Sequence, residues 1–471
     1  MDRFYITTTL PYVNAEPHIG FALEIIQADV LARYHKLLGQ DVIFNFGTDE
    51  HGQKIYQKAK ELGRDPQEYC DEYAAKFDSL KKALNLSYNH FIRTTDPHHV
   101  KAAQEFWKLC DKNGDIYKKN YKIKYCIGCE LEKTDSELVD GRCPIHPNLE
   151  LEIIEEENYF FKFSKYQKTL LDLYGKNPDF VLPKGKLNEI KTFVENGLSD
   201  FSISRLKSKM PWGIPVPGDP THVMYVWFDA LINYISTLGW PDNKKKYEEF
   251  WPGYQVAGKD NLRQQTATWQ AMLASAGLPF SKQVFIHGFI TINGQKISKS
   301  LGNTINPIEV AEKYGTDALR YYLLAKVNPA EDSDFSFEKF EEAYNGELAN
   351  GLGNLVARVA KLCEKSGLEF HYNNTYHYSD TEITSSLKEY RFDDALKAIW
   401  NKISETDKFI NEREPWKLSG EKLREVLKTS ISNIRFIAND LSPFLPGTSD
   451  KIRNQFAGPK INSDKPLFPR L

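Results

Sequence analysis

Three cysteines and one histidine carry the most specific chemistry in this sequence. Cys126 and Cys129 form one chelating pair, and Cys143 and His146 form a second after thirteen intervening residues. Two such pairs close a tetrahedron of three thiolates and one imidazole, the donor set and spacing of a zinc knuckle. A redox Cys-x-x-Cys needs no second pair. A filled tetrahedron leaves no position for substrate, so one structural Zn²⁺ is expected, fixing a segment too small to build its own core. The remaining cysteines, Cys70, Cys110 and Cys363, are scattered, which suits a reducing compartment better than a disulfide framework.

A second group of residues points to phosphate chemistry. In "PYVNAEPHIGFALE", residues 11–24, His18 and Gly20 stand where a β-like run gives way to a helical pattern. Free backbone N–H groups and the positive end of a helix favour an anion there; glycine lets it approach and histidine adds a donor. Much later, "NGQKISKSLGN", residues 293–303, sets Lys296 and Lys299 on either side of Ser298 in a glycine-bounded loop. Two mobile ammonium groups can neutralise a departing pyrophosphate. Taken singly, each piece has a plainer reading: a helix start that contains a histidine, and a solvated, lysine-rich turn.

These groups can meet only if the elements between them fold in a particular order. Ile19, Leu23, Ile26, Val30, Tyr34 and Leu37 recur at three- and four-residue steps, one face of a helix ended by Gly39. The run Val42 to Phe46 then reads as a strand before a turn and another helix. Such a βαβ beginning implies a parallel sheet that binds ligands at the carboxyl ends of its strands. Between about Tyr117 and Pro220 short β-like runs and the cysteine cluster interrupt the pattern, as an insertion does. The α/β texture then returns, and beyond about Phe335 the patterns are helical. The expected organisation is a Rossmann-type α/β domain in two halves, 1–116 and 223–335, split by a zinc-knuckle insertion, 117–222. A helical bundle, 336–471, follows.

The bulk numbers exclude some classes. At 471 residues the chain has room for about three domains. A net charge of −3 supplies no general attraction for nucleic acid, so any RNA contact must be local. No basic and apolar leader opens the chain, and no apolar run approaches the roughly 18 residues of a membrane span. A cytoplasmic protein with no membrane partner is expected.

"PHIG" and "KISKS" resemble the two signature sequences of the class I aminoacyl-tRNA synthetases. Together with "GTDEHG" (47–52), "YVWFDALINY" (225–234), "AGKD" (257–260) and "HGF" (287–289), they resemble the methionyl-tRNA synthetase family over essentially the whole chain. The resemblance implies ATP-dependent activation of methionine, with Mg²⁺, and transfer to methionine tRNA, initiator tRNA included. It gives His18, Lys296 and Lys299 to the phosphates. Pro11, Gly20, Phe21, Gly258, Asp260, His287, Gly288 and Ile290, with Lys299, would surround ATP. Asp49 would receive the methionine ammonium, a charge-assisted hydrogen bond. Leu10, Tyr12, Trp227, Ala230, Leu231 and Tyr234 would wall the thioether, where sulfur gains modestly from aromatic contact. Asn354 and Arg358, four apart on one helical face, with Pro415 and Trp416, would read the CAU anticodon by hydrogen bonding and stacking.

The sequence also departs from the family. Phe21 stands where the first signature usually has a second histidine, so one donor to the nucleotide is missing. Asn261 and Gln265 stand where many members carry isoleucine and histidine facing methionine, and two buried amides there require partners. The class I enzymes for valine, leucine and isoleucine usually carry a larger insertion, and the cysteine enzyme lacks "GTDEHG". A tRNA-binding relative without catalysis is the rival of another kind. Some relatives append a dimerising tRNA-binding domain; none follows the helical part, and a monomer is expected.

Overall fold

The computed structural model describes residues 2–297, 303–371 and 381–471. The first strand, β1 (Arg3–Thr8), is the aromatic and β-branched run "RFYITT", and β2 (Asp41–Thr48) and β3 (His90–Arg93) lie beside it. The main sheet runs β3, β2, β1, then the strands Tyr254–Gly258, Gln283–His287 and Val181–Leu182, every neighbour parallel. Side chains alternate across it. Phe4, Ile6, Phe44 and Phe46 enter the core on one face, while Tyr5, Ile43 and Ala257 enter a separate core on the other.

Helix α1 (Ile19–Leu37) joins β1 to β2. The expected apolar face is present from Ile19 to Tyr34, but every residue from 22 to 32 is buried, so the helix is covered on all sides. Leu37, at its last turn, is instead 45% exposed. Strand order reverses at β1: the chain passes from β1 to β2 on one side, and the later strand Tyr254–Gly258 pairs on the other. A crevice must open at the carboxyl ends of these two strands, the usual ligand position in such sheets.

Segment 117–222 is built on a long antiparallel ribbon, Ile116–Cys126 paired with Glu152–Phe161. The cysteine cluster sits at its tip. The segment is not separate from the sheet, because its short strand Val181–Leu182 forms the outer edge beside Gln283–His287.

The helices Asn354–Ser366, Phe392–Arg413, Gly420–Leu441 and Pro446–Gln455 form the C-terminal part. They share one continuous core with α1. A fully buried arginine ties the two together: Arg320 donates to the carbonyls of Phe444, Pro443 and Leu84 and sits 2.8 Å from Asp29 of α1.

Candidate active site

A cleft of about 730 Å³ occupies the crevice at the strand-order reversal. Of the residues expected around ATP and methionine, it is lined by Leu10, Pro11, Tyr12, His18, Gly20, Phe21, Trp227, Gly258, Asp260, Asn261, His287, Gly288 and Ile290. Asp49, Ala230, Leu231, Tyr234 and Gln265 lie buried behind this lining.

At the phosphate end, His18 caps α1 in an extended conformation, and its Nδ1 accepts from the Gly20 N–H at 3.1 Å. That N–H is therefore used by the cap and is not available to an anion. The same bond places the ring proton on Nε2, which leaves the histidine a donor. A Cβ on residue 20 would lie 2.9 Å from the His18 ring, so glycine is required for this close packing. Phe21 supports the ring from the other side: the two rings are 4.3 Å apart, and Phe21 packs edge-on against Phe77. In place of a second donor there is an aromatic buttress.

The Ile19 N–H donates to Ile305 O at 3.0 Å, fastening the start of α1 to the segment that follows "KISKS". Lys296 lies on the short strand Gln295–Lys296, paired with Ile290–Ile292. Lys299 lies outside the described residues.

Glu24, one turn into α1, was not evident from the sequence motifs. Its Oε1 accepts from the Thr9 N–H and hydroxyl, and its Oε2 lies 2.9 Å from His287 Nε2. The other His287 nitrogen donates to Gly288 O. Burial alone would lower the His287 pKa, but Glu24 and that carbonyl outweigh it and raise it. An acid set inside the apolar run from Phe21 to Ile26 was the available signal.

At the other end, the β1–β2 pairing continues past the strands, with Tyr12 opposite Asp49. Asp49 N donates to Pro11 O and Val13 N to Asp49 O. The rings of Tyr12 and Trp227 meet edge-on at 6.4 Å. Three polar atoms are buried here with no hydrogen-bond partner among the described residues: Asp49 Oδ1, Tyr12 Oη and Trp227 Nε1. Buried polar atoms are nearly always partnered. Unpartnered ones also occur elsewhere, at Tyr69 Oη and Trp269 Nε1 among others, and what sets these three apart is that they lie together at the cleft. Burial, then the charges of Asp229 and Glu130, push the Asp49 carboxyl well above the usual carboxylate range. An incoming ammonium would reverse that cost.

The two unusual amides have partners. Gln265 Oε1 accepts from Gln255 at 3.0 Å and its side chain also meets Tyr234, while Asn261 donates to Asp260. The neighbouring Gln264, which the motifs did not single out, faces the cleft, with its Oε1 buried and unpartnered among the described residues.

Cys126, Cys129, Cys143 and His146 converge, their ligand atoms all within 4.8 Å of one another. Cys129 Sγ is 3.5 Å from Cys143 Sγ and 3.2 Å from His146 Nδ1. Zn–S bonds of about 2.3 Å in a tetrahedron put sulfurs roughly 3.8 Å apart, so the four fit Zn²⁺. Gly128 makes the turn possible, since a Cβ there would lie 2.5 Å from the His146 ring. Cys129 and His146 also border the cleft.

The family model for class I tRNA synthetases of the methionine type matches residues 4–152 and 145–360. A methionine–tRNA ligase of Thermotoga maritima is 42% identical over 470 residues, covering 96% of this chain and 74% of its own. The chain belongs to the methionyl-tRNA synthetase family. Among solved structures, the methionyl-tRNA synthetase of Mycobacterium tuberculosis in complex with methionyl-adenylate matches with a TM-score of 0.92 at 34% identity, covering 100% of both chains. The apo form of that synthetase gives 0.85 at 32%, covering 100% of this chain and 98% of its own.

The anticodon residues expected of a methionyl-tRNA synthetase gather on the helical part. Arg358 Nη1 donates to Asp407 at 3.0 Å and Nη2 to Asn411 at 2.6 Å, and the guanidinium lies 5.2 Å from the centre of the Trp416 ring. Trp416, on the turn opened by Pro415, is 51% exposed. Asn354 borders a cavity of about 510 Å³ together with Asp407 and Asn411, two residues the motifs did not single out. Among the described residues no helix is long and apolar enough to cross a membrane.

Proposed function

We infer that this chain is a methionine–tRNA ligase. It activates methionine with ATP to methionyl-adenylate and passes the methionyl group to the 3′-terminal adenosine of methionine tRNA. The observation that carries the site assignment is the group of unpartnered buried atoms at Asp49, Tyr12 and Trp227 beside a cleft at the strand-order reversal.

A methionine carboxylate oxygen attacks the α-phosphorus, the bond to the bridging oxygen breaks, and pyrophosphate leaves. The terminal ribose hydroxyl of tRNA then attacks the acyl carbon and AMP departs. No covalent enzyme intermediate is required, so catalysis consists of positioning and charge stabilisation. Asp49 receives the ammonium. Leu10, Tyr12 and Trp227 wall the side chain, with Ala230, Leu231, Tyr234 and Gln265 packed behind them and Asn261 at the rim. Gly258 and Asp260 meet the ribose; Pro11, Gly20, Phe21, His287, Gly288 and Ile290 frame the rest of the nucleotide. His18 through Nε2, with Lys296 and Lys299, follows charge on the leaving pyrophosphate. Mg²⁺ shields the phosphates when bound. Asn354, Arg358, Pro415 and Trp416 recognise the anticodon of methionine tRNA, the initiator included. The chain is proposed to act as a monomer.

The test is amino-acid-dependent ATP–pyrophosphate exchange without tRNA. Exchange with methionine alone is expected, and folded, zinc-loaded protein that exchanges with no amino acid would overturn the activity. Lys299→Ala should slow activation a hundredfold or more, the scale for losing one preorganised donor. An unchanged single-turnover rate would remove Lys299 from the mechanism.

A further inference from the structure

The helical part carries an arginine and an amide that the assigned chemistry does not use. The stretch Tyr344–Gly353 runs as a π-helix into the helix Asn354–Ser366. In i→i+5 turns, residues five apart lie one above the other. Asn345 and Asn350 are such a pair, and the residues Phe468 to Leu471 run across them as a strap. Asn345 Oδ1 accepts from the Leu471 N–H at 3.1 Å. Asn350 Oδ1 accepts twice from Arg470, from Nε at 3.2 Å and from Nη2 at 2.8 Å. Phe468 anchors the strap: it is 8% exposed and meets the Tyr344 ring edge-on at 5.9 Å.

These bonds fix which way the Asn350 amide faces. A guanidinium only donates, so the end that Arg470 holds is the oxygen. The nitrogen end, with its two N–H groups, is left for another acceptor. Most exposed amide–arginine pairs are solvated surface and recognise nothing. This one stands at the cavity of about 510 Å³ that Asn350 lines together with Asn354, four residues further on and so adjacent on the helix surface. Asp407 and Asn411, which hold Arg358, line the same cavity. Two carboxylates, Asp407 and Glu412, face it against one lysine, Lys408. A phosphate gains little from such a lining, and a neutral base suits it better.

We propose that Arg470 is a positioning residue for RNA recognition: it turns the Asn350 amide so that Nδ2 donates to an acceptor on the edge of one anticodon base, in the cavity beside Asn354. The proposal rests on the anticodon reading of Asn354 and Trp416 given above. Splayed single-stranded bases are read by hydrogen bonds along such edges. Arg470 touches no base and acts through Asn350.

The test is aminoacylation kcat/KM of the full chain on methionine tRNA and on three transcripts, each with one anticodon base replaced. Asn350→Asp keeps an acceptor for Arg470 and removes the amide donors. It is expected to reduce discrimination about tenfold at one anticodon position and to leave the other two as they were. Arg470→Met should reduce discrimination at the same position by a smaller factor. Arg470→Lys, which returns one donor to Asn350 Oδ1, should recover part of that loss. Equal weakening on all four RNAs would mean that the strap serves stability alone, and overturns the proposal. So would unchanged discrimination in Asn350→Asp, or a loss there that Arg470→Met does not share. Trp416→Ala separates the two readings. If it too alters no RNA preference or rate, the anticodon site itself falls, whereas an effect of Trp416→Ala with none from Asn350→Asp removes only Asn350 and Arg470 from that site. Both side chains are exposed, and the thermal midpoint of each variant checks that the fold is kept. Should Asn350→Asp fail to fold, Arg470→Met decides by the same measure.

Discussion

Asp49 has the environment of a carboxylate waiting for a cation. It is buried and repelled by Asp229 and Glu130, and one of its oxygens has no partner among the described residues. Its folded pKa therefore lies above the unfolded value of about 3.9. Between those two values the folded chain holds a proton that the unfolded chain has lost, so stability from this group falls as pH rises through the window. In the proposed role Asp49 must be ionised to bind methionine, whose affinity should rise through the same window. Thermal unfolding with and without methionine checks both trends: the methionine-induced shift in Tm should grow with pH. Asp49→Asn should abolish that growth and raise methionine KM roughly ten- to hundredfold, the worth of a hydrogen bond to a charged group. His18, Asp49 and the four metal ligands were legible because motifs fix their spacing. Glu24 was not, since its partners, Thr9 and His287, are brought to it only by the sheet. The resemblance gave Gln265 to methionine, but a π-helical turn runs from Gln264 to Thr268 and it is Gln264 that faces the cleft. Such a turn breaks the 3.6-residue count from which a helical face is read.

At the scale of elements, the knuckle is tied into the proposed methionine site. Helix α2 (Gln53–Glu61) has no side-chain cap of its own at Gly52. Glu130, next to Cys129, supplies one by accepting from the Lys54 N–H at 3.0 Å, and Lys54 Nζ donates to Gly128 O. A Cβ at Gly52 would lie 3.0 Å from that carboxylate, and Gly52 also has φ +113°, so glycine is needed twice over. Tyr225, just before Trp227, donates to Glu130 O. A folded knuckle thus holds the start of α2 and the pocket helix together. Cys143→Ala, or prolonged chelation, should abolish zinc binding and raise methionine KM more than ATP KM. Metal analysis alongside the two KM values checks this, and equal changes in both would mean the knuckle acts on general stability alone. The βαβ opening and the insertion were readable from period and texture. The edge strand Val181–Leu182 was not, because two residues carry no period and their pairing is decided by the partner Val284–Phe285.

At the scale of the whole molecule, the two ends of the enzyme are joined by packing rather than by a loose linker. Arg320 carries charge into that joint, where Asp29, Arg33 and Ser87 complete the network. Replacing it, as in Arg320→Met, leaves three carbonyls and a buried carboxylate short of a donor. The expected cost is about 3 kcal/mol, the low end for breaking a buried pair because Arg33 still holds Asp29. A denaturant midpoint unchanged from the parent would contradict this. No local pattern announces such a contact, since its four partners come from distant parts of the sequence.

The same arrangement makes a sharper prediction about function at long range. Trp416 is exposed, at the far end of the helix Phe392–Arg413, with the Arg358 guanidinium lying over its ring. Asp407 and Asn411 already hold that guanidinium, so the indole is presented without tRNA and a splayed base can stack on it at little ordering cost. Among the described residues that line the proposed adenylate cleft, Trp416 is not one. Trp416→Ala should therefore leave methionine-dependent exchange unchanged, while aminoacylation of methionine tRNA loses about 1–3 kcal/mol of stacking, roughly five- to 150-fold in kcat/KM. Running both assays on one preparation separates the outcomes. Loss in aminoacylation alone places RNA recognition on this face. Equal loss in both would mean that Trp416 acts through the shared core, and no loss in either would move the anticodon site elsewhere.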